Sequence, residues 1–466
     1  MGGEKVTGNN EIIIIGGGVA GYPAAIKVAR MGASVTLVEK EKLGGVCLNK
    51  GCIPTKTLLQ SAAVVQTIKD ANLFGIQCEG FVVDFARVMR RKKDVVSRLT
   101  QGVQMLLAAK KVKVIKGTAV FIDTGKIKIL ETGEILAGRN ILIATGSKPG
   151  SLPIKGLDLP EVLNSDQVLE LEQLPESVII IGGGVIGVEF AQFFRAMGAS
   201  VSIVEMQPNI VPGIDLEIAK LLERKMKQLG VQVITQATVQ SVEKSENQVV
   251  VKYRVRDKEE HVKAEKVILT VGRKPDFSAL NIEKAGIRHE KGAILVDSGM
   301  RTNVPGIYAA GDVIGGIMLA HVASAEGECA VANALGHNET MDYKAIPACI
   351  YTKPEVASVG LSEEEARKKH INIQVGKFPL GANGKAVVLN ETDGLVKIIS
   401  EPEYGEILGV HILGPHATDM IAEAVLGMNM EMTAEMLAGT IHPHPTVSEA
   451  LMEAAQVLNG GATHLP

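Results

Sequence analysis

Residues 12–21 read IIIIGGGVAG, and residues 178–187 read VIIIGGGVIG. Residues 32–39 then read GASVTLVE, and residues 198–205 read GASVSIVE. The second copy follows the first without a gap, setting Gly16, Gly18, Gly21 and Glu39 against Gly182, Gly184, Gly187 and Glu205. Each copy is a β-branched run, a glycine-rich turn, a helix-length segment and a second strand ending in glutamate. That order is the dinucleotide-binding βαβ unit. The first glycine permits the tight turn, the second lets the backbone approach a pyrophosphate, and the third lets helix and strand pack closely. The helix N-terminus offers free N–H groups and its positive dipole end to phosphate. The closing carboxylate accepts hydrogen bonds from ribose hydroxyls. A lone glycine motif is weak, and two ligand-free glycine turns are the competing reading. The full strand, helix and acid occurring twice favours binding.

Two such units imply two dinucleotides, and the common chemical reason is electron transfer between a flavin and a nicotinamide. A carboxylate at Glu205 repels a 2′-phosphate, and Met206, Gln207 and Pro208 supply no cation for one. The nicotinamide is therefore expected to be NAD rather than NADP.

The second informative stretch follows the first unit: residues 44–56 read GGVCLNKGCIPTK. A helix is predicted over 55–68, with Pro54 near its first position. Cys52 then lies at a helix N-terminus, where thiolate is favoured. Cys47 reaches it if the turn between them is helical or tight. Three readings compete: two buried unpaired cysteines, a zinc site completed by His442 and His444, or a reactive pair. The spacing of both pairs fits zinc poorly. The reactive pair is preferred because it sits just beyond the first dinucleotide-binding unit, where a flavin is expected.

The 466-residue length suggests about three domains at roughly 150 residues each. Hydrophobic residues at 46% and charged residues at 22% fit a soluble globular protein. A net charge of −3 offers no basic face to nucleic acid. The local patch Arg90, Arg91, Lys92 and Lys93 reads as a solvated helix face. Met1 to Lys5 start no signal peptide, and the glycine-broken run Ile12 to Ile26 is too short for a membrane span. The expectation is a cytoplasmic protein without membrane or nucleic-acid partners. Five cysteines, an odd number, argue against a structural disulfide framework.

The chain resembles the pyridine-nucleotide disulfide oxidoreductases over essentially its whole length. The motifs that carry the resemblance are GGVCLNKGCIPTK, ILIATGSKP (141–149), the second glycine loop with Glu189, and TVGRKPD (270–276). GIYAAGDV (306–313), MLAHVASAEG (318–327), YTKPEVASVG (351–360) and HPHPTVSE (442–449) follow in order. The resemblance implies a class I fold: two Rossmann-like α/β domains, for FAD and NAD, and a C-terminal α+β dimerisation domain. It implies an FAD domain at 1–150, an NAD domain at 151–274, a segment at 275–345 completing the FAD domain, and an interface domain at 346–466. A first strand beginning near Glu11 leaves no room for an N-terminal lipoyl domain.

By the same resemblance, Cys52 is the thiol against the flavin and Cys47 the outer thiol that exchanges with substrate. Lys56 stands beside the flavin ring with Glu189 as its ion-pair partner. Asp312 binds the flavin ribitol, Gly117 and Ala320 give it backbone contacts, and Thr145 and Gly146 lie at the cofactor. Val239 and Gly272 give NAD its backbone contacts. His444 and Glu449 are the base and its orienting carboxylate, acting on the disulfide of the other subunit of a homodimer. His442 is assigned a structural role. The implied reaction oxidises dihydrolipoyl groups on a protein of a 2-oxoacid dehydrogenase complex or glycine cleavage system, with NAD.

Glutathione reductases carry cations for NADP and a tyrosine where Val185 stands. Mercuric and high-mass thioredoxin reductases carry a C-terminal cysteine pair, whereas the last cysteine here is Cys349. An NADH-dependent reductase of another low-mass disulfide, such as that of coenzyme A or mycothiol, stays open. So does a non-catalytic scaffold subunit, which the intact reactive set disfavours. Val46, Lys50 and Thr55 depart from the commonest motif without removing a reacting atom. Lys50, between the cysteines, is a candidate to lower a thiol pKa.

Overall fold

Both isoleucine-rich runs form central strands of parallel sheets. In the computed structural model, which describes residues 6–465, Val6–Ile15 lies between Val35–Glu39 and Ile135–Ile143, parallel to both. The second run, Ser177–Ile181, lies between Ser200–Val204 and Lys266–Leu269, again parallel. Ile12, Ile13, Ile14, Ile179 and Ile180 are all 0% exposed. A strand covered on both faces tolerates an unbroken apolar run, because neither face meets water. The first strand begins at Val6, ahead of the expected Glu11, with a register irregularity between Thr7 and Asn9. Met1 to Lys5, which are expected to start no signal peptide, lie outside the described residues.

The first sheet has seven strands, and its last member arrives late: Ile307–Ala309 pairs with Ile135–Ile143. The second sheet has five strands, and a three-stranded antiparallel sheet over 237–264 is inserted before its last strand, Lys266–Leu269. A five-stranded antiparallel sheet from Ala348–Ile350 to Ile407–Gly414 forms a third unit, with its own core of residues such as Phe378, Ile398 and Ile412. The fold is α/β with two Rossmann-like units and a C-terminal α+β unit. No helix among the described residues is long and apolar enough to cross a membrane.

Two glycines show why the loops are glycine. Gly16 has φ +107°, and a Cβ there would lie 2.2 Å from the Ala144 carbonyl oxygen. A Cβ on Gly21 would lie 1.8 Å from the Gly16 oxygen, so the helix could not pack.

The basic patch departs from expectation at one residue. Lys92 is 2% exposed, while Arg90, Arg91 and Lys93 face solvent. The helix Phe85–Ala109 turns Lys92 onto the same face as buried Phe85 and Met89. Its ammonium there meets the Leu169 carbonyl and Glu170.

A second buried lysine ties the second glycine-loop unit to the C-terminal unit. Lys397, 1% exposed, reaches both oxygens of Asp215 at 3.0 and 2.9 Å, Glu363 at 2.8 Å and Glu217 at 3.2 Å. Asp215 caps the helix Leu216–Gln228 and also accepts the Glu363 N–H. Burial alone would raise the Asp215 pKa, but the Lys397 ammonium outweighs it and holds the carboxyl below its ordinary value.

Candidate active site

The two cysteines sit on consecutive helices. Cys47 lies in Gly45–Lys50 and Cys52 opens Cys52–Asp70, so the helix starts earlier than the predicted residue 55. The early start suits the sequence, because Pro54 then falls in the first turn, where its missing N–H has no intrahelical acceptor. Asn49 fixes the connection by donating to the Leu43 and Gly45 carbonyls at 3.0 and 2.9 Å. Both cysteines are free thiols, and the Cys47 side chain hydrogen-bonds Cys52.

That contact splits the pair electrostatically. The Cys47 hydrogen bond, then the nearby Lys56 charge, lower Cys52 to about 7 against the opposing effect of burial. The same hydrogen bond, with burial, raises Cys47. Cys52 is thus the thiolate of the pair near neutral pH.

Lys56 follows one turn after Cys52 and shares its helix face. Its ammonium bonds both oxygens of Glu189 at 2.9 Å, and Glu189 is 2% exposed. Lys50 points elsewhere: it pairs with Glu41 at 2.5 Å, and both side chains are exposed. The lysine that acts on the two sulfurs is Lys56, so the expected influence of Lys50 is not found. Lys50→Val is expected to cost under about 1 kcal/mol of stability. It should leave the thiolate absorbance titration unmoved, and a displaced midpoint would contradict this geometry.

The cysteines, Lys56 and Glu189 open into one continuous cavity of about 1940 Å³. Gly16 and Gly18, Gly182 and Gly184, and both Glu39 and Glu205 line it too. So do Gly117, Thr145, Gly146, Val239, Gly272, Asp312 and Ala320. Gly21 and Gly187 do not; each is packed against its own strand–helix turn. The volume exceeds that of an ordinary single-ligand site, roughly 300–1,000 Å³.

The residues fit dinucleotides by their own geometry. Glu39 accepts the Gly17 N–H at 2.6 Å and Glu205 accepts the Gly183 N–H at 2.6 Å, so each carboxylate stands against its glycine loop. At Gly184 a Cβ would meet nothing within 4 Å, which leaves open space where a phosphate would approach.

Several supports were not read from sequence. Ser147 donates to Asp312 at 2.5 Å, and Arg273 donates to Ser147 at 2.9 Å while pairing with Asp166. Buried Glu326 accepts the Gly311 N–H and the Tyr343 hydroxyl, fixing the turn that carries Asp312. Tyr351 places its ring 4.7 Å from the Lys56 ammonium. Ser147, Arg273, Glu326 and Tyr351 stand inside quoted motifs, whereas Asp166 and Tyr343 stand outside them, and only partners across the chain give these residues a role.

His444 and Glu449 pair with each other, Nδ1 to Oε1 at 2.8 Å, and Glu449 also accepts the Thr446 N–H. The bond to Nδ1 leaves Nε2 free. The pair does not line the cavity, and the His444 side chain is 78% exposed. His442, with its side chain 4% exposed, bonds Glu423 and the Thr440 carbonyl, as befits a structural histidine. Neither histidine joins the cysteines, so the four residues of the zinc reading do not assemble.

The family model described as pyridine nucleotide-disulphide oxidoreductase matches residues 10–327, and its dimerisation-domain model matches residues 346–455. A dihydrolipoyl dehydrogenase of Bacillus subtilis (strain 168) is 43% identical, covering 97% of this chain and 99% of its own. A dihydrolipoyl dehydrogenase of Geobacillus stearothermophilus is 41% identical, with coverage of 98% and 97%. Among solved structures, the Cu(II) complex of the HOCl-induced flavoprotein disulfide reductase RclA from Escherichia coli superposes with TM-score 0.88 at 31% identity. That match covers 97% of this chain and 100% of the other.

Proposed function

The chain belongs to the pyridine nucleotide-disulphide oxidoreductases, and from that premise we propose that it oxidises protein-bound dihydrolipoyl groups with NAD through Cys47, Cys52 and FAD. The carrying observation is a split thiol pair beside the Lys56–Glu189 ion pair, in one cavity with both glycine loops. The FAD site is the first unit and the NAD site the second. The Gly16 loop, Glu39 and Asp312 would hold FAD, which would supply two-electron redox chemistry between the enzyme dithiol and NAD.

The chain's own residues do the rest. His444 Nε2 removes a proton from the substrate dithiol, and Glu449 holds the ring and stabilises the cation that forms. The substrate thiolate attacks the Cys47 sulfur of the oxidised pair, and Cys52 leaves as thiolate. The second substrate thiol then attacks its own sulfur bound to Cys47, closing the lipoyl disulfide and releasing the Cys47 thiol. Lys56 stabilises the Cys52 thiolate and places positive charge toward the flavin.

His444 reaches the cysteines of a second copy. Its own segment supports this: Ile441 is 95% exposed, Leu426 stands open on the helix that carries Glu423, the partner of His442, and Met430 stands open just past the end of that helix. Large apolar side chains left open in one place mark an interface. The lipoyl carrier is a protein of a 2-oxoacid dehydrogenase complex or the glycine cleavage system. The reaction runs in the cytoplasm, where free thiols such as exposed Cys78 persist.

Steady-state assay separates the candidates. Dihydrolipoamide with NAD should exceed both the NADP reaction and NADH-driven reduction of glutathione disulfide by at least about 100-fold in kcat/KM. Equal rates with a peptide disulfide would overturn the proposed substrate.

A further inference from the structure

The Lys56 ammonium has two partners, and only one is an acid. Glu189 binds it through both oxygens at 2.9 Å, and the Tyr351 ring covers it at 4.7 Å. Tyr351 also donates its backbone N–H to Glu189 at 3.0 Å. One turn further along the helix Val185–Met197, Gln192 donates to the Lys353 carbonyl at 2.9 Å and accepts the Lys353 N–H at 2.7 Å. Two side chains of the second glycine-loop helix therefore grip the backbone at Tyr351 and Lys353, which leads from the C-terminal sheet. That grip aims the Tyr351 ring at a lysine of the first unit, so three units meet at one ammonium.

We propose that Tyr351 is a positioning residue whose ring face holds the Lys56 ammonium over the Cys52 end of its helix. Lysine is a flexible four-carbon arm, and one carboxylate holds it at a single point. Glu189 alone fixes one end of its swing. The ring blocks the other and attracts the cation through its quadrupole. The charge on Lys56 acts on Cys52, together with the Cys47 thiol and the Glu189 carboxylate. Cys349, Glu189, Glu355 and Cys52 face the Tyr351 phenol. The ring thus controls how much of the Lys56 charge the sulfur feels, while the backbone bond to Glu189 survives any side-chain change.

The inference rests on Cys52 being the reactive thiolate. Iodoacetamide alkylation of Cys52 against pH, in Cys47→Ser holoenzyme and followed by peptide mass, reads it directly. Tyr351→Phe keeps the ring and should leave the profile within about twofold. Tyr351→Met keeps the bulk but removes the π face, and should slow alkylation at pH 7 about fivefold by moving the midpoint upward. Tyr351→Trp, with a larger ring face, should behave as tyrosine does, and serves if the methionine protein loses flavin. A methionine profile equal to that of phenylalanine, a phenylalanine shift as large as methionine's, or a tryptophan profile shifted upward overturns the proposal. A Cys52 with an ordinary thiol profile in the parent protein instead overturns the thiolate assignment, so the two failures are distinct.

Discussion

Cys52→Ser is expected to abolish dihydrolipoamide oxidation, by about 10⁴-fold or more, because no second sulfur can then pass electrons onward. Cys47→Ser should lose the same activity through a different defect. It keeps the thiolate that faces the flavin and loses only the sulfur that exchanges with substrate. Anaerobic dithionite titration tells the two apart. In the parent protein two electrons open the disulfide and should bring up a long-wavelength thiolate–flavin band. Cys47→Ser, with no disulfide to reduce, should show the band before any reductant is added and lose it on reduction, and Cys52→Ser should show it at no stage. The band has a pH sense as well. Cys52 is held near 7 by the Cys47 hydrogen bond and the Lys56 charge, so in the parent protein the band grows as pH rises through 7 and fades below it. A band that survives in Cys52→Ser would reverse the assignment of the sulfurs.

Lys397→Ala is expected to destabilise the holoenzyme by about 3–5 kcal/mol, the usual cost of leaving a buried charge without its partner. Asp215 is 0% exposed and cannot rehydrate, whereas Glu217 and Glu363 are partly open and can. Adding Asp215→Asn should recover much of the loss, since asparagine still caps the helix and carries no charge. Acid unfolding gives a second readout. The Lys397 hydrogen bond holds Glu363 down to about 2, below its ordinary value of 4.5. A carboxylate depressed in the folded state contributes stability that is complete above its unfolded pKa and lost as pH falls through the folded one. The parent should lose this contribution progressively as pH falls from about 4.5 towards 2, and Lys397→Ala, which lacks it, should begin to unfold at higher pH. Matching melting temperatures and acid midpoints for the two proteins would show that the cluster does not hold the units together.

What the sequence made legible was local. Gly16, Gly21 and Glu39 act within one strand–turn–helix segment, so spacing alone carries their roles, and the second copy repeats them. The cysteine stretch was legible for the same reason, apart from the helix start at Cys52. What spacing cannot carry is pairing across the chain. Lys397 meets Asp215 from a distant strand, Ser147 meets Asp312, and the Tyr351 backbone meets Glu189. Each of these residues is ordinary in its own neighbourhood. Lys50 and Lys92 went astray in opposite directions. Lys50 sits between the cysteines in sequence yet turns to Glu41, while Lys92 sits in a basic run yet turns inward. In both cases the direction in which the helix presents the side chain decided the outcome, not the charge of its neighbours.

The strand Ile307–Ala309 adds to a sheet whose other members all precede residue 144. A ribosome therefore delivers nearly the whole first sheet, then the entire second unit, before supplying the missing edge and Asp312 behind it. At about 5–20 residues per second, that gap lasts on the order of ten seconds. Through it, the nascent chain carries a glycine loop and two thiols with no finished cradle around them, so cofactor capture belongs to the last stages of translation or follows release.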